Sequence, residues 1–332
     1  VSGAARLGAL GLLLLATMLV AAMVGPYALT PADIAGALLG RLAGNDGGTA
    51  ATVLFGLRLP RVAAAALIGA GLGSAGAAYQ CVFRNPLVSP DILGVSSGAG
   101  LGAAVGILLG LPVVGIQLLG FGGGLVTVAL VLAVGRALAS DDVLVLVLAG
   151  IVVGAIAGAA IALAKVLADP YEQLPAITFW LLGSLAGFKA SDLPALAVAV
   201  VVGVTPLVLL RWRIGVLMLG DAEAASLGVA VPIIRLSVIA GATLATAAAV
   251  AAAGIIGWIG LMVPHVARLV VGARFDRLLP ASALTGAALL VAIDTLARTI
   301  ARIEVPLGVL TAVIGGGLFL ALMLRARPGL KR

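Results

Sequence analysis

Apolar runs of bilayer length recur along this chain from one end to the other, and that single feature excludes most folds. A helical span needs about 20 consecutive, mostly apolar residues. Runs of that order, bounded by charge, Pro or Gly, stand near 7–25, 61–83, 91–110, 114–138 and 143–168, and again near 192–210, 233–253, 255–271, 279–301 and 305–324. Ten such runs occupy most of a 332-residue chain and leave no room for a sizeable soluble domain. The sequence therefore predicts an all-α membrane protein, with about ten transmembrane helices forming one domain over 1–332. Composition agrees, since 63% of residues are hydrophobic and 10% charged, far from the roughly half-apolar, quarter-charged balance of soluble domains. Arg6 followed by Leu7 to Val24 also fits a signal peptide, but a first span completes an even helix count.

Charge placement orients the spans. The net charge of +7 comes from basic residues that sit singly or in pairs at the ends of apolar runs, with no basic stripe of the kind nucleic acid requires. With the N-terminus cytoplasmic, Arg84, Arg136, Arg211, Arg213, Arg235, Arg268 and the cluster Arg325, Arg327, Lys331 and Arg332 all fall on the inner side, as positive-inside topology demands. Both termini are then cytoplasmic. Left outside are Arg41, Arg58, Arg61, Lys165, Lys189, Arg298 and Arg302.

Local patterns sharpen this picture. Glycine recurs every fourth residue at Gly94, Gly98, Gly102, Gly106 and Gly110, and again at Gly150, Gly154 and Gly158. Such bare faces admit a neighbouring helix at close range or line a path with backbone. Between the sixth and seventh runs, Asp221 is placed to cap a short helix with Glu223 in its first turn, which Gly228 can end. Asp294 lies inside an apolar run, where an ionisable residue is functional by default, but Arg298 one turn on can pair with it. His265 and Cys81 are each the only residue of their type, so no multi-histidine metal site and no disulfide can form. Lys165, Lys189 and Lys331 all lack the glycine frame of a phosphate-binding loop.

Several long motifs, in order along nearly the whole chain, carry a resemblance. They are Arg58-Leu59-Pro60-Arg61, the Asn85-Pro86-Leu87 turn, Gly94-Val95-Ser96-Ser97-Gly98-Ala99, Phe179 to Leu185, Gly257 to Arg268, and Val305 to Ala312. The chain resembles the FecCD-type permease subunits of type II ATP-driven importers, which carry iron chelates, haem and vitamin B12. The resemblance implies a functional homodimer in the bacterial inner membrane, served by two ATP-binding subunits and a periplasmic substrate-binding protein. It implies that no cofactor is held by this chain and that ATP is used by the partner subunit.

By the same resemblance the loop 219–229 is the coupling helix that docks on the ATPase, with Gly220, Asp221, Glu223, Leu227 and Gly228 as its key positions. Arg58, Arg61 and Arg298 match cationic sockets for acidic residues of the binding protein. Gly150, Gly154, Gly158, Tyr171, Leu174, Leu307 and Gly308 match the translocation path and its gate, with 169–175 as the outer gate segment.

The implied cargo is an iron chelate, either a ferric siderophore or haem, with vitamin B12 or an oxyanion as alternatives carried by the same machinery. A proton- or sodium-coupled transporter would place acids near the bilayer centre, whereas the acids here mostly sit in loops and at helix ends. Ser96, Ser97 and His265 alone would suggest an intramembrane hydrolase, without further support.

Overall fold

A computed structural model describes residues 3–44, 48–138 and 143–325, and every regular element among them is helical. The basic residues Arg327, Lys331 and Arg332 expected on the C-terminal tail lie outside these residues. The first helix, α1 (Gly3–Met23), is followed by α2 (Pro31–Leu42) and the single turn α3 (Gly48–Ala51). From α3 the chain runs through a π-helical stretch, Thr52–Arg58, directly into α4 (Leu59–Val82). A tight turn at Pro90–Leu93 leads to α5 (Val95–Leu108), then α6 (Val113–Ala137), α7 (Val143–Leu167) and the short α8 (Gln173–Leu182). The second half holds α9 (Leu193–Leu209), α10 (Arg211–Leu217), α11 (Asp221–Ser226), α12 (Val231–Ala253), α13 (Ile259–Val271), α14 (Phe275–Ala297) and α15 (Leu307–Arg325).

A helix covers most of each of the ten apolar runs, and seven segments are long and apolar enough to cross a membrane. The helices α5 and α13 are shorter, with 14 and 13 residues. The reasons are local. Residues 91–94 belong to the Pro90 turn, which closes at Gly94 in the left-handed region (φ 78°). Residues 255–258 form an irregular link, bounded by Gly254 (φ 71°) and Trp258 (φ 70°), that postpones α13 to Ile259.

The segment 26–58, between the first two apolar runs, carries the helix α2, which the apolar pattern does not reveal. Its start is nonetheless written in Thr30-Pro31-Ala32-Asp33. The Thr30 hydroxyl accepts from the Asp33 N–H, the Asp33 carboxylate accepts from the Thr30 N–H, and Pro31 opens the helix, a reciprocal capping box.

The centre of the bundle is α4, packed against α14, α12, α13 and α9. Its residues from Gly71 to Val82 are all buried, which a helix so rich in Gly and Ala achieves by letting its neighbours' backbones come close. At Gly69, a side-chain carbon would sit 2.6 Å from the carbonyl carbon of Gly286 and 3.0 Å from the Ala287 Cα, so only glycine fits where α4 crosses α14. The same closeness joins α5 to α6. Two buried clusters result. One holds Val62, Leu185, Ala297 and Leu307; the other, at the opposite end of α4, holds Val82, Leu217, Ala224 and Phe275.

Candidate functional site

At the N-terminal end of α4, three arginines and two carboxylates form one network. Pro60 has no N–H to give, and the turns before it are wide, with the Leu59 N–H donating to the Leu54 carbonyl five residues back. The Arg61 Nε and Nη2 donate to both Asp294 oxygens at 2.8 to 3.1 Å, while Nη1 and Nη2 donate to Glu304 at 3.0 and 2.7 Å. Both carboxylate-binding edges of the guanidinium are thus occupied, each in the paired geometry that makes arginine–carboxylate bonds strong. Asp294 is 1% exposed and Glu304 is 25% exposed, so one edge faces the core and the other the rim. Burial works to raise the Glu304 pKa, but hydrogen bonding to Arg61 and its charge outweigh burial and hold the carboxyl below the ordinary glutamate range. The outer half of the pair is therefore complete at neutral pH, and it is lost as pH falls through that lowered value.

Arg58 and Arg298 hold a different structure. A helix leaves its last four carbonyls without partners, and α1 ends at Met23. Arg58 donates to the carbonyls of Ala22 (2.7 Å), Met23 (2.8 Å) and Tyr27, and Arg298 donates to those of Ala21 (3.2 Å) and Val24 (3.3 Å). Two cations thus close the C-terminus of α1, the end where positive charge is favourable. The expected local pair is present as well, with Arg298 Nε 3.3 Å from the Asp294 carboxylate. All three arginines named as docking sockets are therefore largely buried and already bonded within the chain. They line a cavity of about 310 Å³, together with Tyr27, the exposed Arg302 and Glu304. Four cations against two carboxylates leave that concavity positive.

The network continues into the junction of α8 with α15. Ser184, just beyond α8, donates its hydroxyl proton to Glu304 at 3.0 Å, and the Leu307 N–H donates to the Gly183 carbonyl at 2.9 Å. Leu307 is fully buried. At Gly308 a side-chain carbon would meet the Leu182 carbonyl oxygen at 2.6 Å and that of Ile255 at 2.9 Å. Across α8, Leu174 packs with Ile177 and Ala168, whereas Tyr171 is 88% exposed. The glycine face of α7 is uneven: Gly150 lies against the Leu93 Cα (2.9 Å to an added carbon), Gly154 has room, and Gly158 faces open space.

At the far end of α4 stands α11. The sequence reading made Asp221 its cap; in the structure Gly220 (φ 127°) is the capping residue, with no side-chain cap bond, and Asp221 is the first helical residue. The reason is a stronger partner, because the Asp221 carboxylate accepts from Arg235 of α12 at 2.7 Å and lies 3.9 Å from Arg84. Glu223 and Leu227 are exposed, and Gly228 turns the chain at φ 78°. Arg84 ends α4 in the left-handed region (φ 49°), a conformation that usually selects glycine. Nearby, Ser96 donates its hydroxyl to Asp91, and no group of three or more His, Cys, Asp or Glu among the described residues could hold a metal.

A positive concavity at one end of a helical bundle, an exposed short helix at the other, and several apolar helices between them are the features the motif resemblance implied. The family model of the FecCD transport family matches residues 13–325. The chain belongs to the FecCD transport family. It is similar to the Fe(3+) dicitrate transport system permease protein FecD of Escherichia coli, at 42% identity over 83% of this chain and 86% of that one. It is also similar to the molybdate import system permease protein MolB of Haemophilus influenzae, at 35% identity over 96% and 95%. Among solved structures, an inward-facing metal-chelate type ABC transporter superposes with TM-score 0.88 at 34% identity, covering 96% of this chain and 98% of that one. This FecCD-family chain is a multi-pass membrane permease subunit of an ABC importer and has the type II importer permease fold.

Sequence reasoning found Asp294 with Arg298 because they are one helical turn apart. It missed Glu304 and Ser184, which lie in connections and meet Arg61 from 243 residues away and Glu304 from 120 residues away, respectively. The only local sign of Glu304 was its acid beside the Val305-Pro306-Leu307 motif.

Proposed function

We propose that two copies of this chain enclose a path for an iron chelate, a ferric siderophore or haem, across the cytoplasmic membrane. Two ATP-binding subunits drive it from the cytoplasmic side through α11, and a periplasmic binding protein delivers the ligand to the positive concavity around Arg58, Arg61 and Arg298. The two copies meet through α7 and α15, whose outward faces expose Ile151, Ile156, Val309 and Val313, apolar surface that either lipid or a second copy can cover. Between the copies, Gly154, Gly158 and Tyr171 line the path or its gate, whereas Gly150, Leu174, Leu307 and Gly308 pack within the chain and hold the elements that form it, and no chemistry is performed on the cargo.

One observation supports this reading above the others. The positive concavity and the exposed α11 lie at opposite ends of α4, and Arg61 and Val82 are 21 residues apart on that helix, roughly 32 Å at 1.5 Å per residue. Energy delivered at one face and ligand delivered at the other need that separation. The similarity to FecD and to a metal-chelate transporter favours an iron chelate as cargo.

The test is reconstitution of the permease with its ATPase and binding protein in liposomes. ATP-dependent accumulation of a radiolabelled ferric chelate is expected, with none of labelled molybdate. Accumulation of molybdate alone would replace the cargo, and accumulation of a ferric chelate without ATP would overturn the energetics.

A further inference from the structure

We propose that Glu304 is a latch, occupying the Arg61 edge that a docking carboxylate needs and tying that edge to the end of α8. A guanidinium offers two paired edges to carboxylates. Asp294, 1% exposed, holds the inner edge and cannot be reached from the rim, whereas Glu304, 25% exposed, holds the outer one. An acidic residue arriving in the cavity lined by Arg58, Arg61, Arg298 and Arg302 therefore meets an arginine whose accessible edge is already filled from within the same chain. Docking on Arg61 is an exchange of one carboxylate for another.

The exchange has a consequence because Glu304 has a second partner. The Ser184 hydroxyl donates to the same Oε1 atom that accepts from Arg61 Nη2. Ser184 also donates its N–H to the Ala253 carbonyl at 2.8 Å, and its hydroxyl oxygen accepts from the Ala186 N–H at 3.0 Å, so it fixes how the chain leaves α8. Only Val305 and Pro306 separate Glu304 from Leu307, whose N–H holds Gly183. When Glu304 leaves Arg61, one of the two bonds between 183–184 and 304–307 goes with it. The remaining Leu307 bond then acts as a pivot between α8 and α15. In this way occupation of the concavity is reported to α8, which carries Leu174 and follows Tyr171, and to α15, which carries Leu307 and Gly308, with no movement of the buried Asp294.

This inference rests on the docking reading above, and the test separates the two. The full transporter is assembled in nanodiscs with its ATPase. Binding-protein affinity and ATP hydrolysis without binding protein are then measured for Glu304→Gln, Ser184→Ala and Arg302→Glu. Glu304→Gln frees the outer edge and is expected to tighten capture about three- to fivefold, the scale of one part-exposed ion pair. It should also raise hydrolysis in the absence of binding protein toward the docked rate. A gain in affinity cannot come from misfolding. Ser184→Ala keeps the Arg61 edge filled, so capture is expected to stay unchanged while hydrolysis without binding protein rises, and Glu304→Asp should restore weaker capture. Arg302→Glu reverses an exposed charge on the rim outside the buried network and is expected to weaken capture with marked salt dependence. Capture indifferent to Arg302→Glu would remove the docking reading itself. Capture weakened by Arg302→Glu but not tightened by Glu304→Gln, or hydrolysis indifferent to Ser184→Ala, would remove the latch alone.

Discussion

Asp294 is the residue on which most of the outer end depends. It is 1% exposed and faces two guanidiniums, Arg61 at 2.8 Å and Arg298 at 3.3 Å, so replacing it leaves two cations without their buried counter-charge. Removing one partner of a buried ion pair costs about 3–5 kcal/mol, and Asp294→Asn is expected to fall in that range, because an amide keeps the volume but not the charge. The check is thermal unfolding of the detergent-solubilised protein, in which Asp294→Asn should lower the midpoint far more than Glu304→Gln. Equal losses would mean that the network is not built around Asp294. At this scale the sequence disclosed what helical periodicity can disclose. Asp294 and Arg298 were visible as a pair one turn apart, while Arg61, 233 residues from Asp294, could enter the cluster only once α4 and α14 were packed together. The burial of Arg58 was hidden for the same reason, since its partners are backbone carbonyls at the end of α1 and carry no sequence signal.

Glycine spacing on the helices was legible, but which glycines touch a neighbour was not. The stripe on α5 is used for contact: a carbon added at Gly98 would lie 2.5 Å from the Gly123 carbonyl oxygen and 2.6 Å from Thr127 Cβ, both on α6. The stripe on α7 begins in contact at Gly150 and ends at Gly158 with nothing within 4 Å. Spacing of four residues is the same in both, and only the crossing of the helices tells them apart. Gly98→Ala is therefore expected to cost about 1–3 kcal/mol, the usual range for overpacking, while Gly158→Ala should lose no stability and gain up to about 1 kcal/mol, since alanine is the better helix former. Thermal midpoints of the two variants decide this. If Gly158→Ala keeps its stability yet slows transport, the open face of α7 is part of the path. Helix ends follow a similar rule. Apolar runs located ten helices, but the delayed starts of α5 and α13 depend on left-handed residues at Gly94, Gly254 and Trp258, which an apolar count cannot register. The start of α2 at Thr30-Pro31-Ala32-Asp33 could have been read from its capping chemistry.

The proposed transport requires the two ends of the molecule to face different compartments, and the structure offers a clean way to test that. Cys81 is fully buried beside Met218 and is the only cysteine, so new surface thiols can be introduced against a silent background. Ala225 is exposed on α11 and Ala301 is exposed on the rim of the arginine cavity; neither carries a charge of either network. The positive-inside distribution assigns α11, with Arg84, Arg211, Arg213 and Arg235 around it, to the cytoplasm, and α4 then places Ala301 on the other side. In intact cells, a membrane-impermeant maleimide is expected to label Ala301→Cys and not Ala225→Cys, and in inverted vesicles the pattern should reverse. Labelling of both thiols from one side would mean that α4 does not cross the bilayer between its two charged ends. The concavity and α11 would then share a compartment, and a binding protein and an ATPase could not act on this chain from opposite faces.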